Sequence, residues 1–188
     1  MNFPWRQIPN AITVLRLLLI GPTVFYLTRE AYWEALWLFL VAGLSDGLDG
    51  FLARACHWNS RFGEITDPLA DKALIVAVYI VLTLNGLLPL WLLILIFARD
   101  LIIVAGALIY HIVIGAYVMQ PTLWGKLNTL VQTGYAFLLI VNQAGLAMPA
   151  WSVTSGLWVV TGSCCLSGGQ YIAVWGRKFF TALHEKRG

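Results

Sequence analysis

Charge is what this sequence has least of. Asp, Glu, Lys and Arg make up 11% of its 188 residues, where a soluble domain carries about a quarter. That deficit excludes a polar-surfaced globular domain. The formal net charge is only +3, and no nucleic-acid partner is expected. Cysteine is also sparse. Cys56, Cys164 and Cys165 form no CxxC pair and stand in no His-rich cluster, which leaves no zinc or redox motif. Adjacent Cys164 and Cys165 read as small packing residues in a helix. No secretory signal is evident either: Arg6 precedes an apolar run, but that run contains Arg16 and no A-x-A site follows promptly, so it reads as a retained helix. The central two helices hold no G-x-x-x-x-G-K-[ST], HExxH or GxSxG. No internal repeat or low-complexity segment stands out.

What fills the chain instead is hydrophobic residues, 60% of it, with 13% aromatic. At roughly 20 apolar residues per spanning helix, there is room for about six membrane helices and no separate soluble domain. The expected fold is all-α and integral to the lipid bilayer. It is a single domain over residues 1–188, with six transmembrane helices and a short interfacial N-terminal segment. Many Trp and Tyr fall near segment ends, as an interfacial belt requires.

Met1 to Gln7 suits the headgroup layer. The first helix starts at Pro9 and Asn10 and runs to about Leu27, kinked at Pro22. Arg16 lies nearly two turns inside; it either snorkels to the interface or faces a polar cavity and a negative ligand. Arg29 and Glu30 mark a polar turn. The second helix runs from about Tyr32 to Ala55, and the third opens at Asp67 and Asp71 and ends near Leu84, where Asn85-Gly86 signals a turn. The fourth begins at Pro89 with Arg99 and Asp100 near its middle; one position apart, these point to different faces and need not be partners. Gly115 to Thr122 form a loop. The fifth helix, Gly125 to Gln143, starts with Lys126, Asn128 and Gln132 at helical spacing. The sixth spans about Trp151 to Val174, and a basic tail follows.

Arg6, Arg54, Arg61, Lys126, Arg177, Lys178, Lys186 and Arg187 fall on one side of this arrangement, and only Arg29 on the other. Both termini are therefore expected in the cytoplasm. The lack of a transit peptide favours a bacterial inner membrane over an organellar one. His57 and His184 read as surface groups and His111 as interfacial.

The stretch Asp46 to Asp71, DGLDGFLARACHWNSRFGEITDPLAD, organises the rest. Four carboxylates in or beside apolar segments mark a functional site. They raise one another's pKa, so either they are protonated or they hold metal. Asp46 with Asp49, and Asp67 with Asp71, each share a helix face, and a hairpin would set the pairs opposite each other. An all-oxygen cluster suits Mg²⁺ or Mn²⁺, and two such ions about 4 Å apart can clamp a pyrophosphate. Gly50, Ala53 and Gly63 leave room for a ligand or pack helices. Arg54 and Arg61 offer forked donors to phosphate or serve the positive-inside pattern. A cation transporter would spread its acids along the membrane depth, whereas these cluster at one end.

The same stretch resembles the signature D-x2-D-G-x2-A-R-x8-G-x3-D-x3-D of the CDP-alcohol phosphotransferase family at every fixed position: Asp46, Asp49, Gly50, Ala53, Arg54, Gly63, Asp67 and Asp71. The likeness extends from IPNAITVLR to GKLNT. It implies a six-helix homodimer with two divalent cations (Mg²⁺ or Mn²⁺) and a CDP-diacylglycerol site facing the cytoplasm. By that resemblance Asp46, Asp49 and Asp67 ligate metal with Asp71 contributing, and Asp71 is the general base. Asp46, Asp49, Gly50, Ala53, Arg54, Gly63 and Asp67 line the CDP moiety. An alcohol then attacks the β-phosphorus and CMP leaves.

Two branches of the family bear on the acceptor. The glycerol 3-phosphate branch resembles this chain in DPxADK (Asp67, Pro68, Ala70, Asp71, Lys72), but its later arginine and second lysine are here Ala107 and Asn128. The cardiolipin-forming branch of mitochondrial type resembles it in the Arg99-Asp100 pair, in KxNTxxQ (Lys126, Asn128, Thr129, Gln132) and in WGRK, similar to that branch's YGRK. Phosphatidylglycerol is the expected acceptor and glycerol 3-phosphate the alternative, with Arg16, Arg61, Arg99, Lys126 and Asn128 as acceptor contacts. Gln170 and Tyr171 could also reach substrate.

Overall fold

A computed structural model describes residues 8–56, 61–113 and 123–185. They form six helices: α1 (Ile8–Thr28), α2 (Tyr32–Cys56), α3 (Arg61–Leu84), α4 (Leu90–Val113), α5 (Leu123–Gln143) and α6 (Ala150–Glu185). The all-α expectation holds. The expected interfacial segment at Met1 to Gln7, the loop at Gly115 to Thr122 and His57 lie outside the described residues.

The chain divides into two compact units, one of residues 1–88 with 136–149 and one of residues 89–135 with 150–188. In the first, α1 packs against both α2 and α3. Its core holds Leu27, Ala35, Phe39, Ala42, Val78, Tyr79 and Leu82, all buried. In the second, α4 packs against α6, around buried Leu92, Ile96, Tyr135, Val160 and Cys164. The Tyr135 ring lies close enough to α6 that a Cβ at Gly156 would fall 2.5 Å from it.

Both units bury several polar side chains and expose many large apolar ones. On α1, Thr13, Arg16 and Thr23 are fully buried while Val14, Leu15, Leu17, Leu18 and Phe25 are exposed. On α4, Arg99 is buried and Leu90, Ile94, Phe97, Leu101, Val104 and Leu108 are exposed. On α5, Asn128 and Gln132 are buried and Leu123, Leu127 and Leu130 exposed. Contiguous apolar exposure of this extent marks a surface that meets something other than water, and polar groups turned inward are what a hydrocarbon solvent selects. By length and apolarity, one helix among the described residues qualifies by itself as a span, Ala150–Val174, with shorter apolar stretches at Ile12–Thr28, Tyr32–Ser45 and Lys72–Leu84.

Helices α1, α3 and α5 end alike. In each, the amide two residues past the last turn reaches back to the carbonyl five residues before it: Ala31 to Tyr26 at 2.9 Å, Leu87 to Leu82 at 2.9 Å, Leu146 to Val141 at 3.3 Å. This Schellman arrangement needs a left-handed residue at the position just past the cap. Gly86 (φ 74°) and Gly145 (φ 93°) supply it, but at α1 it is Glu30, with φ 58°. The Asn85-Gly86 turn is thus as expected, and Asn85 does more than turn: its Nδ2 donates to the Leu27 carbonyl at 2.9 Å and to the Tyr32 hydroxyl at 3.3 Å. One side chain at the end of α3 thereby satisfies a terminal carbonyl of α1.

Two boundaries differ from expectation. Helix α3 begins at Arg61, six residues before Asp67, so Gly63 stands in its first turn and not ahead of it. Gly63 and Pro68 would ordinarily mark a helix start, yet the segment is helical through both. Helix α6 does not stop at Val174 but continues to Glu185, because the residues beyond the apolar run (Arg177, Lys178, Ala182, Leu183) are good helix formers. At 36 residues it is about 54 Å long, well beyond a hydrocarbon layer of roughly 30 Å.

A non-glycine residue in the left-handed region costs roughly 1 kcal/mol. Glu30→Gly is expected to raise the thermal midpoint in detergent, and Gly86→Ala to lower it, each by the equivalent of about 1 kcal/mol. Gly156→Val, driven into the Tyr135 ring, is expected to destabilise by about 1–3 kcal/mol, read in the same melting assay.

Candidate active site

The acidic stretch occupies the last part of α2 and the first part of α3, two successive helices of one unit. Asp46 lies ten residues before the end of α2, and Asp71 ten residues after the start of α3; Asp49 lies seven before and Asp67 six after. At 1.5 Å per residue, Asp46 and Asp71 both stand about 15 Å from the connection, and Asp49 and Asp67 about 10 Å. Counted along their helices, the two pairs thus lie at matching distances from the connection. The side chains of Asp46, Asp49, Gly50, Ala53, Arg54, Arg61, Gly63, Asp67 and Asp71 lie outside those described, so their mutual distances are not part of this geometry. Among residues with described side chains, no cluster of three or more His, Cys, Asp or Glu gathers. The donor set itself fits hard divalent cations, since four carboxylates offer only oxygen.

Arg16 belongs to the same unit and is fully buried. Of its two expected settings, burial matches the interior one and not the snorkelling one.

The second unit carries a separate polar seam. Arg99, 6% exposed, reaches from α4 to α6. Its Nε and Nη2 donate to the Ser167 hydroxyl at 3.2 and 2.5 Å, and its guanidinium lies 5.8 Å from the centre of the Tyr171 ring. Its Nη1 pairs with Asp100 Oδ1 at 2.9 Å. The expectation that neighbours one position apart need not pair is corrected here. Their backbone positions do diverge, but the arginine arm is long enough to bend back, and with both groups nearly enclosed a direct ion pair avoids leaving either charge alone at depth.

One turn away on α6, Asn128 Oδ1 accepts from Ser163 Oγ at 2.8 Å and from Cys164 Sγ at 3.3 Å, and Gln132 Nε2 lies 3.3 Å from the same sulfur. Asn128 Nδ2 is buried with no protein partner among the described residues. Lys126, two residues earlier, is exposed. The structure therefore gathers Arg99 and Asn128 onto one stretch of α6, and sets Lys126 on another face of α5. Cys164 is a packing residue, as expected, but also a link in this seam.

Sequence reading missed Ser163, Ser167 and Gly168. A signal was present: Ser163/Cys164, Ser167/Gly168 and Tyr171 recur at helical spacing along one face of α6, a run of small and polar residues in an otherwise apolar helix. It gained meaning only once Arg99 and Asn128 were seen to reach it.

A sequence model of the family described as CDP-alcohol phosphatidyltransferase matches residues 6–161. A Rattus norvegicus protein named cardiolipin synthase (CMP-forming) is 33% identical over 180 residues, covering 86% of this chain and 57% of that one. Its Homo sapiens namesake is 31% identical over 205 residues, covering 97% and 65%. A CDP-diacylglycerol–glycerol-3-phosphate 3-phosphatidyltransferase of Cereibacter sphaeroides is 44% identical over 91 residues, covering 46% and 41%. The chain thus spans less than two thirds of the length of the rat and human relatives. With the family match running from residue 6 to residue 161, across the whole acidic stretch on α2 and α3, the chain belongs to the CDP-alcohol phosphatidyltransferase family.

Proposed function

We propose that this protein transfers a phosphatidyl group from CDP-diacylglycerol to phosphatidylglycerol, giving cardiolipin and CMP. The observation that carries the reading is the eight-position signature on two successive helices, with its aspartate pairs at matching distances from the connection. Asp46, Asp49, Asp67 and Asp71 hold two divalent cations, Mg²⁺ or Mn²⁺, which when bound neutralise the pyrophosphate charge. Gly50, Ala53 and Gly63 give the CDP moiety room, and Arg54 forks onto its phosphate. Asp71 takes the proton from the acceptor hydroxyl. That oxygen forms its bond to the β-phosphorus as the bond to CMP breaks.

The acceptor's charge is met by Arg99, with Asn128 beside it against the same stretch of α6. Two features favour a phosphodiester over a dianionic monoester: Ala107 and Asn128 stand where a glycerol 3-phosphate enzyme has cations, and Arg99 is already half-neutralised by Asp100. Glycerol 3-phosphate is the second reading, favoured by the Cereibacter relative, whose name specifies that acceptor. The buried polar and exposed apolar side chains of both units support six membrane spans, with both termini and the acidic ends of α2 and α3 in the cytoplasm, in a bacterial inner membrane. Residues 1–188 act as one domain and the protein as a homodimer.

Purified protein in detergent with CDP-diacylglycerol and Mg²⁺ is expected to release CMP and form cardiolipin when given phosphatidylglycerol. Phosphatidylglycerophosphate from glycerol 3-phosphate alone would move the reading to its alternative, and no release with any alcohol would end both. Chelation of divalent metal, and Asp46→Asn or Asp71→Asn, should each lower the rate by at least about 10²-fold, measured as CMP release. Activity unchanged by chelation would contradict the assigned role of the aspartates.

A further inference from the structure

Arg99 is the most constrained charged side chain described in the second unit, and what constrains it is a residue with no assigned role. Ser167 is fully buried and accepts from both Nε and Nη2 of Arg99, at 3.2 and 2.5 Å. One hydroxyl thus occupies a whole edge of the guanidinium. The neighbouring residue completes the cradle: an added Cβ at Gly168 would lie 3.6 Å from Arg99 Cγ, so the aliphatic stem runs close to bare α6 backbone. A turn further on, the Tyr171 ring stands 5.8 Å from the guanidinium carbon. Asp100 takes one N–H of Nη1.

A guanidinium has five N–H donors in a fixed plane. Among the described residues three are engaged, one on each nitrogen; one N–H on Nη1 and one on Nη2 have no described partner and form the pair open to an anionic ligand. Which way that pair faces is set by the edge that Ser167 holds. Without the hydroxyl, the guanidinium keeps its charge and its pairing to Asp100 but can rotate about its last torsions.

We propose that Ser167 is a positioning residue for acceptor recognition: by fixing the Nε–Nη2 edge of Arg99 it aims the other two N–H groups at the phosphate oxygens of the acceptor. This rests on the reading of Arg99 as an acceptor contact. The ligand chemistry is a phosphate with two free oxygens, supplied by phosphatidylglycerol or by glycerol 3-phosphate, and assays with each acceptor separate the two sources.

The test compares Ser167→Thr with Ser167→Val, nearly equal in shape and differing in the hydroxyl, with Ser167→Ala as the smaller variant should valine disturb folding. Kinetics for both substrates are run with melting curves on each protein. Valine and alanine are expected to raise the acceptor KM by on the order of ten-fold, the effect of losing a hydrogen bond to a charged group. The KM for CDP-diacylglycerol should stay within about two-fold, and threonine should restore the acceptor KM. Equal values for threonine and valine would overturn the proposal. So would a fall in kcat with acceptor KM unchanged, or a loss that merely follows the melting temperature. Arg99→Ala separates the two layers. If it leaves the acceptor KM unchanged, the reading of Arg99 fails and the role of Ser167 with it; if it raises that KM while Ser167→Ala does not, the positioning role alone fails.

Discussion

Every polar side chain turned inward on these helices needs a partner made of protein, because the surfaces around them are apolar and offer none. The residues solve this in two ways. Short hydroxyls solve it locally: Thr23, Thr83, Thr129, Thr133 and Thr161 each donate to the carbonyl four residues back on their own helix. Such groups ask nothing of a neighbour. Arg99, Asn128 and Gln132 are too long and carry too many donors for that, so they reach α6 and select which of its faces turns inward. Serine and cysteine at 163, 164 and 167 are the answering set. The polar seam therefore specifies the packing of α4 and α5 against α6 more sharply than interchangeable leucines can.

The first unit is held by a different device. Helices α1, α3 and α5 end there in tight Schellman turns, and Asn85 ties the end of α3 to the end of α1. Placing the strained position on Glu30 and not on glycine leaves that turn less stable than its two counterparts.

The helices, their order and the acidic stretch were legible in the residues, since twenty-residue apolar runs broken by Arg29-Glu30, Asn85-Gly86 and Pro149 leave few alternatives. Boundaries were less so. The start of α3 is hidden behind Gly63 and Pro68, which ordinarily mark a helix boundary and here stand inside the helix. The end of α6 lies past Val174 because the mixed charged and apolar segment Arg177 to Glu185 continues the helix beyond the purely apolar run.

Spacing along the chain specifies which residues share a helix face, and eight positions at set offsets specify a family. Tertiary packing alone selects which side chains meet. That Ser167 holds an edge of Arg99, and that Asn128 shares α6 with it, depend on which helices pack together, and contacts 68 and 35 residues apart in sequence leave no periodic trace in the chain.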